Sequence, residues 1–286
     1  MSTEMTTIDE QMLQELAKNL GDSEGSGSAN NLARLRIERE NVEDDSGDIL
    51  CPAGHFSIQT EEGKLYAKEI SFRYYEHRYR YKRYDNLAER TTKDGTKVQG
   101  AYTHSVLVKG PRDEAPSDDG GFQCGRPLEY IKDWNSLAKD RQEYIKSCRL
   151  MIIFYGEATV DGVNESGEKV QTTVPIEMEL SGKTSGKTLS RFFLDMVQKR
   201  RTMPNSRSVV LKSKKVKGGV TYYDMDVSVK DDTVYAIDDD TTGLYTRFGE
   251  HIAQINKWVM DRHTGSSSNA FNNIDTNEIH IEGAST

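Results

Sequence analysis

Apolar positions along this chain change their period as it proceeds. At the start Ile8, Met12, Leu13, Leu16 and Leu20 recur at helical spacing, with Asp9 and Glu10 in the first turn and Gly21 after the last, so residues 7–20 are expected to form a short amphipathic helix. Residues 21–29, GDSEGSGSA, have linker composition, and the charged stretch 32–43 is helix-compatible but offers little to bury. From residue 49 the pattern turns to alternation. Residues 55–59 and 64–73 alternate around the turn at Glu61, Glu62 and Gly63, and residues 102–108 alternate again, so the body opens on strands. The Pro-, Asp- and Gly-rich run 110–121 reads as a surface loop.

Residues 137–149 have helical character, and 150–160 and 170–180 read as two strands across a Gly, Asn and Ser turn. A helix is expected over residues 188–201, with Leu189, Phe192, Phe193, Met196 and Val197 on one side. Two more strands, 208–216 and 220–229, flank the hairpin signal Gly218-Gly219, and a last helix covers 242–262, its entrance marked by Asp238, Asp239 and Asp240. Strands, an inserted helix and more strands fit a small closed or half-closed barrel with elaborations. The expected division is an acidic appendage over 1–48, one α+β, β-rich domain over 49–263, and a polar tail over 264–286.

Composition adds boundaries. The longest apolar run, residues 150–155, is far too short to cross a bilayer, and the N-terminus lacks the basic and apolar stretches of a secretory signal, so no membrane partner is expected. Three scattered cysteines, Cys51, Cys124 and Cys148, suit a reducing cytoplasm better than a disulfide framework. The formal net charge of -8 argues against a nucleic-acid partner until it is divided. Residues 1–50 carry -8, residues 231–286 carry -7, and residues 51–230 carry +7. A polyanion meets a local surface, because potentials decay over about 8 Å at physiological salt.

The densest chemistry lies in residues 72–85, FRYYEHRYRYKRYD, where six aromatics alternate with five basic residues. In an extended strand Tyr75, His77, Tyr79 and Tyr81 are expected on one face and Arg78, Arg80 and Lys82 on the other. Bases stack on aromatic rings while Lys and Arg neutralise phosphates, so Arg73, Tyr75, Arg78, Tyr79, Arg80, Tyr81, Lys82, Arg83 and Tyr84 are candidate contacts for a single strand. Lys212, Lys214, Lys215 and Lys217, followed by Tyr222, form a second basic segment that could share one groove with the first. The run SGKTSGKT at 181–188 resembles a phosphate loop, but Ser181 stands where its first glycine belongs, which leaves Lys183 and Lys187 as phosphate contacts without hydrolysis. Glu177 and Glu179, like Asp224 and Asp226, read as the wet faces of strands. Cys51 and His55 make a lone pair, so no metal and no cofactor are expected.

With CPAGHFSI at 51–58, LYAKEISFRYYEHRYRYKRYD, GGFQCGRP at 120–127 and the strand, strand, helix and hairpin run to residue 229, the chain resembles phage-encoded single-stranded DNA-binding proteins with an OB-type barrel. The resemblance implies an OB-like core, sequence-independent binding of single-stranded DNA in replication or recombination, no catalytic activity, and a host-cytoplasmic setting. It also implies recruitment of replication or recombination proteins through acidic termini, and it leaves room for a homo-oligomer. One departure is the end of the chain, IHIEGAST, where members of that class often carry a strongly acidic tip with a terminal aromatic; here Phe271 lies well inside. Two other classes remain: a virion or assembly protein, and a nucleotide-hydrolysing replication accessory using Lys187.

Overall fold

The computed structural model describes residues 32–91, 97–110, 134–217, 222–236 and 238–264. The expected helix over 7–20, the linker 21–29, the loop beyond 110, the GGFQCGRP turn, Gly218-Gly219, Cys124 and the polar tail lie outside those residues. In chain order the elements are β1 (Ala33–Ile37), β2 (Val42–Glu43), β3 (Ile49–Cys51), β4 (Phe56–Thr60), β5 (Gly63–Ala67), β6 (Glu69–Thr91), β7 (Lys97–His104), α1 (Lys139–Ser147), β8 (Arg149–Asn164), β9 (Lys169–Ser181), α2 (Ser185–Gln198), β10 (Arg207–Val216), β11 (Tyr222–Val234) and α3 (Asp239–Thr264). The architecture is a mixed, strand-rich α/β fold.

Period-two alternation works here because most strands have one face on a common core. β5 and β6 act as one bent strand, since β8 pairs with both: Tyr66 opposes Val163 and, past Lys68, Ile70 opposes Val160. Ladder contacts run β8–β5–β4–β1–β9 and return to β8, all antiparallel except the two-residue parallel pairing of β1 with β9. Where β4 leaves the edge of this long strand, β10 takes it over, Lys212 opposing Glu69 and Ser208 opposing Arg73, and β11 adds outside β10. Beyond Lys82 the strand pairs with β7 instead.

Phe56, Ile58, Ile70, Phe72, Phe154, Ile176, Met178 and Leu211 fill the interior. α2 closes it from one end, inserting Leu189, Phe193 and Met196 at helical spacing; Phe193 stacks on Tyr74 with ring centroids 4.1 Å apart. Burial of each such side chain is worth roughly 1.5–3 kcal/mol. A second apolar cluster lies on the opposite face of the sheet, where Phe248 and Ile252 of α3 cover Tyr75, Ile153 and Tyr155. α3 starts where expected, with Asp238 Oδ1 accepting from the Thr241 amide at 2.9 Å.

One boundary moves. Residues 33–37 fall in the stretch expected to be an appendage, yet they form β1, paired with β4 along four residues and burying Leu35 at 2% exposure. The charged residues around Leu35 masked a strand, because Arg34 finds a carboxylate partner on β9 that is far away in sequence.

Candidate nucleic-acid interface

The strand with the densest aromatic and basic residues does not keep the faces that alternation assigns. Tyr74 opposes Gly156 and Glu76 opposes Tyr155, so Tyr75 is an extra residue in a β-bulge. Parity inverts across it. Phe72 and Tyr74 before the bulge, and His77 and Tyr79 after it, share the core side; Tyr75 goes to the other side with Arg73, Arg78 and Arg80. Tyr75 is therefore not grouped with Tyr79 as expected, and it is buried against Phe248 of α3. On the core side Tyr74 donates its hydroxyl proton to, or accepts from, His77 Nδ1 at 2.7 Å, and His77 Nε2 lies 3.1 Å from the Tyr79 hydroxyl. Burial, then the nearby Arg78 charge, pushes the His77 imidazole down to about 4, so it is neutral at pH 7.

The basic side chains of that face have partners within the protein. Arg73 donates to the carbonyl of Asn205 at 2.9 Å and to Thr241 Oγ1 at 3.1 Å, faces Glu157 at 3.5 Å, and lies 4.3 Å over the Tyr235 ring. Together with Glu157, Asp238 and Asp240 it lines a polar cavity of about 240 Å³ at the start of α3. Arg78 pairs with Glu76, Arg80 with Glu179, and Lys82 with the other oxygen of Glu179 at 3.2 Å. Glu177 accepts from Arg34 Nε at 2.9 Å and from His251 Nε2 of α3 at 3.1 Å. Burial would raise the Glu177 carboxyl, but the His251 hydrogen bond and the Arg34, His251 and Arg80 charges outweigh it and hold it at about 2. Glu177 and Glu179 are thus not a wet strand face. Their partners come from β1, β6 and α3, which local patterning cannot reveal.

Past Lys82 the picture changes again. Arg83 lies 4.2 Å over the Tyr144 ring of α1, Lys82 lies 4.4 Å over Tyr102 of β7, and Tyr84 meets Tyr102 edge-on at 5.0 Å. Tyr81 is half-buried.

The second basic segment lies on the β10 and β11 hairpin, and its lysines divide by face. Lys212 pairs with Glu69 at 2.9 Å and opposes Asp226, and Lys214 opposes Asp224. Arg80 is thus paired with Glu179, whereas Lys214 is exposed with Asp224 as its cross-strand neighbour. Lys215 opposes Tyr223, and Lys215 and Lys217 are exposed with Tyr222 beside them at 40% exposure. The turn before α2 comes to the same place: Ser185 Oγ donates to the Tyr223 carbonyl at 3.2 Å, which brings the exposed Lys183 and Lys187 to the hairpin. Gly54 completes the mount. Its φ of +91° and bare Cα let the Tyr223 ring pack where any Cβ would collide, and Ser213 donates to its carbonyl. Tyr223 and Ser185 carry no local signal of this role beyond the tyrosine pair itself.

The SGKTSGKT run forms the end of β9, a turn, and the first residues of α2. Gly186 is buried in the helix against the Ser181 carbonyl. β9 is antiparallel to β8, unlike the parallel sheet around a phosphate loop. Cys51 and Cys148 are buried thiols, Cys51 pushed up to about 11 by burial and by Glu38. Among the described residues no three His, Cys, Asp or Glu side chains gather as a metal site, and no helix is long and apolar enough to cross a membrane. No family model, no curated protein and no solved structure matches the chain.

Proposed function

We propose that this chain binds single-stranded DNA without sequence preference, as phage-type replication or recombination requires, by phosphate contacts and stacking and without chemistry of its own. The observation that carries the reading is the junction of α2 with the hairpin. Lys183, Lys187, Lys215 and Lys217 are exposed there beside Tyr222 and Tyr223, and none has an ion-pair partner among the described residues. Lysines held without carboxylates next to the exposed Tyr222 ring suit a flexible polyanion whose bases are unpaired.

The connectivity supports the same reading. β6, β8 and β9 pair in succession, α2 follows, β10 pairs back on β6, and β11 pairs on β10. Five strands with a helix between the third and fourth support the partly open, OB-like layout that the resemblance implies. Among the described residues β11 has no ladder to β9, and α2 stands between them. The strand β6, which sequence density favoured, is a weaker candidate over residues 73–80 because α3 covers that face.

Anisotropy of a labelled oligo-dT, followed against salt, tests the proposal. Binding is expected at low salt, with affinity falling steeply as salt rises. The double variant Lys183→Ala and Lys215→Ala should lower the slope of log K against log salt by roughly 1.4, about 0.7 per lost phosphate contact. Absence of binding at low salt overturns the reading, and an unchanged slope removes this surface from it.

A further inference from the structure

α2 buries Leu189, Phe193 and Met196, but its apolar residues do not end there. Leu194 and Val197, three positions apart and so neighbours on the helix surface, are 51% and 47% exposed. The chain then folds back on the last turn, the Thr202 amide donating to the Met196 carbonyl at 3.0 Å, which leaves Met203 next to that turn at 58% exposure. Of the eight large apolar side chains exposed among the described residues, these three fall within ten positions. Scattered singly such residues need no explanation; grouped at one helix end they do. The surroundings are basic. Residues 183–201 carry six Lys and Arg against one acid, Asp195, which pairs with Lys199 at 2.7 Å, a balance of +5. Arg191 and Lys187, one and two turns before Leu194, are exposed and have no ion-pair partner among the described residues.

A matching segment stands at the start of the chain. Residues 1–31 carry one Lys against six acids, a balance of -5, and Ile8, Met12, Leu13, Leu16 and Leu20 recur there at helical spacing. A segment of that pattern can lay its apolar stripe on an apolar surface and turn its carboxylates to cations at the rim. Residues 265–286 carry only -3 and are the weaker match in charge. Reach is sufficient. The chain enters the sheet at Ala33 opposite Ile176, nine residues before α2 begins at Ser185, so at most about 30 Å of extended chain separates them, and residues 21–32 span up to about 40 Å. We propose that the outer face of α2, centred on Leu194 and Val197, is the docking site for residues 7–20 of the same chain, held by apolar contact and by Asp9, Glu10 and Glu15 toward the flanking cations. The seat includes Lys187, so the segment and a polyanion would take it in turn, but the seating itself does not rest on the nucleic-acid reading.

In the full chain, Leu16 is replaced by the photo-reactive amino acid benzoylphenylalanine, the protein is irradiated without DNA, and the crosslinked peptides are identified by mass spectrometry. The expected product is a monomer in which position 16 is joined to residues 187–203. The double variant Leu194→Ser and Val197→Ser, at two exposed positions, should abolish that product while leaving the circular dichroism of the chain unchanged. Leu13→Ser, on the segment itself, should abolish it too. A crosslink that joins two chains instead would give the face to a second copy and overturn the seat within one chain. Crosslinks to other parts of the protein, crosslinks to α2 that survive the serine variants, or no crosslink at all overturn the docking site. None of these outcomes depends on oligo-dT, so the seat and the nucleic-acid reading fail separately.

Discussion

Arginine in a basic, aromatic strand has two possible fates, and Arg80 shows how the protein decides between them. Its guanidinium meets Glu179 at 14% side-chain exposure, with Lys82 on the same carboxylate. Removing Arg80 leaves Glu179, this far from water, with Lys82 as its remaining partner, a loss of up to about 3 kcal/mol. Arg80→Ala is therefore expected to lower the urea midpoint strongly while leaving the salt dependence of DNA binding unchanged. The opposite pattern, a stable variant with a shallower salt slope, would return Arg80 to the interface. Lys215 is the contrasting case, exposed opposite Tyr223 rather than a carboxylate, so under the proposed function Lys215→Ala is expected to weaken binding with little change in the urea midpoint.

At the level of elements, α3 owes its seat to both apolar and charged contacts. Phe248 and Ile252 bury against Tyr75, Ile153 and Tyr155, and His251 reaches Glu177 at 3.1 Å. Glu177 is held at about 2, below its ordinary 4.5, so the folded chain binds fewer protons than the unfolded one across that interval. Its contribution is full above about pH 4.5 and is lost as pH falls toward 2. Urea midpoints measured from about pH 6 to about pH 3 should fall steeply for the native chain. Glu177→Gln should start lower and fall less, and parallel curves would show that acid acts elsewhere. The bulge at Tyr75 belongs to this scale too. The aromatic and basic alternation of residues 72–85 was legible as a strand, but an extra residue changes no composition or period strongly enough to announce itself. Its effect, to swap the faces of everything after it, appears only once β6 is laid against β8.

For the whole molecule, charge has to be counted along the boundaries the fold draws. With β1 and α3 included, residues 32–264 carry a formal net charge of 0, and the entire -8 lies in residues 1–31 and 265–286. A basic body between acidic ends was the expectation from residues 51–230. The fold instead brings carboxylates of flanking segments, such as Glu38 at Ser57 and Asp238 and Asp240 at the Arg73 cavity, onto the body and leaves Lys183, Lys187, Lys215 and Lys217 exposed at the hairpin and α2. A chain of residues 32–264 should bind oligo-dT more tightly at low salt than the full chain, because a net repulsive charge has been removed. Equal affinity would reduce both ends to solubilising flanks. Removing residues 1–48 instead deletes β1, and no soluble folded protein is expected from it. The sequence by itself determined the kinds and order of elements from residue 55 on, the β10 and β11 hairpin and the inserted helix, because periods of 2 and 3.6 residues and turn glycines are local signals. Only the tertiary structure decided that β1 belongs to the sheet, that Glu177 and Glu179 are paired, which face of β6 each tyrosine takes, and which lysines are left open to solvent. Those outcomes depend on which distant residues meet, and partners such as Arg34 and Glu177, 143 positions apart, leave no mark on each other's neighbourhood in the chain.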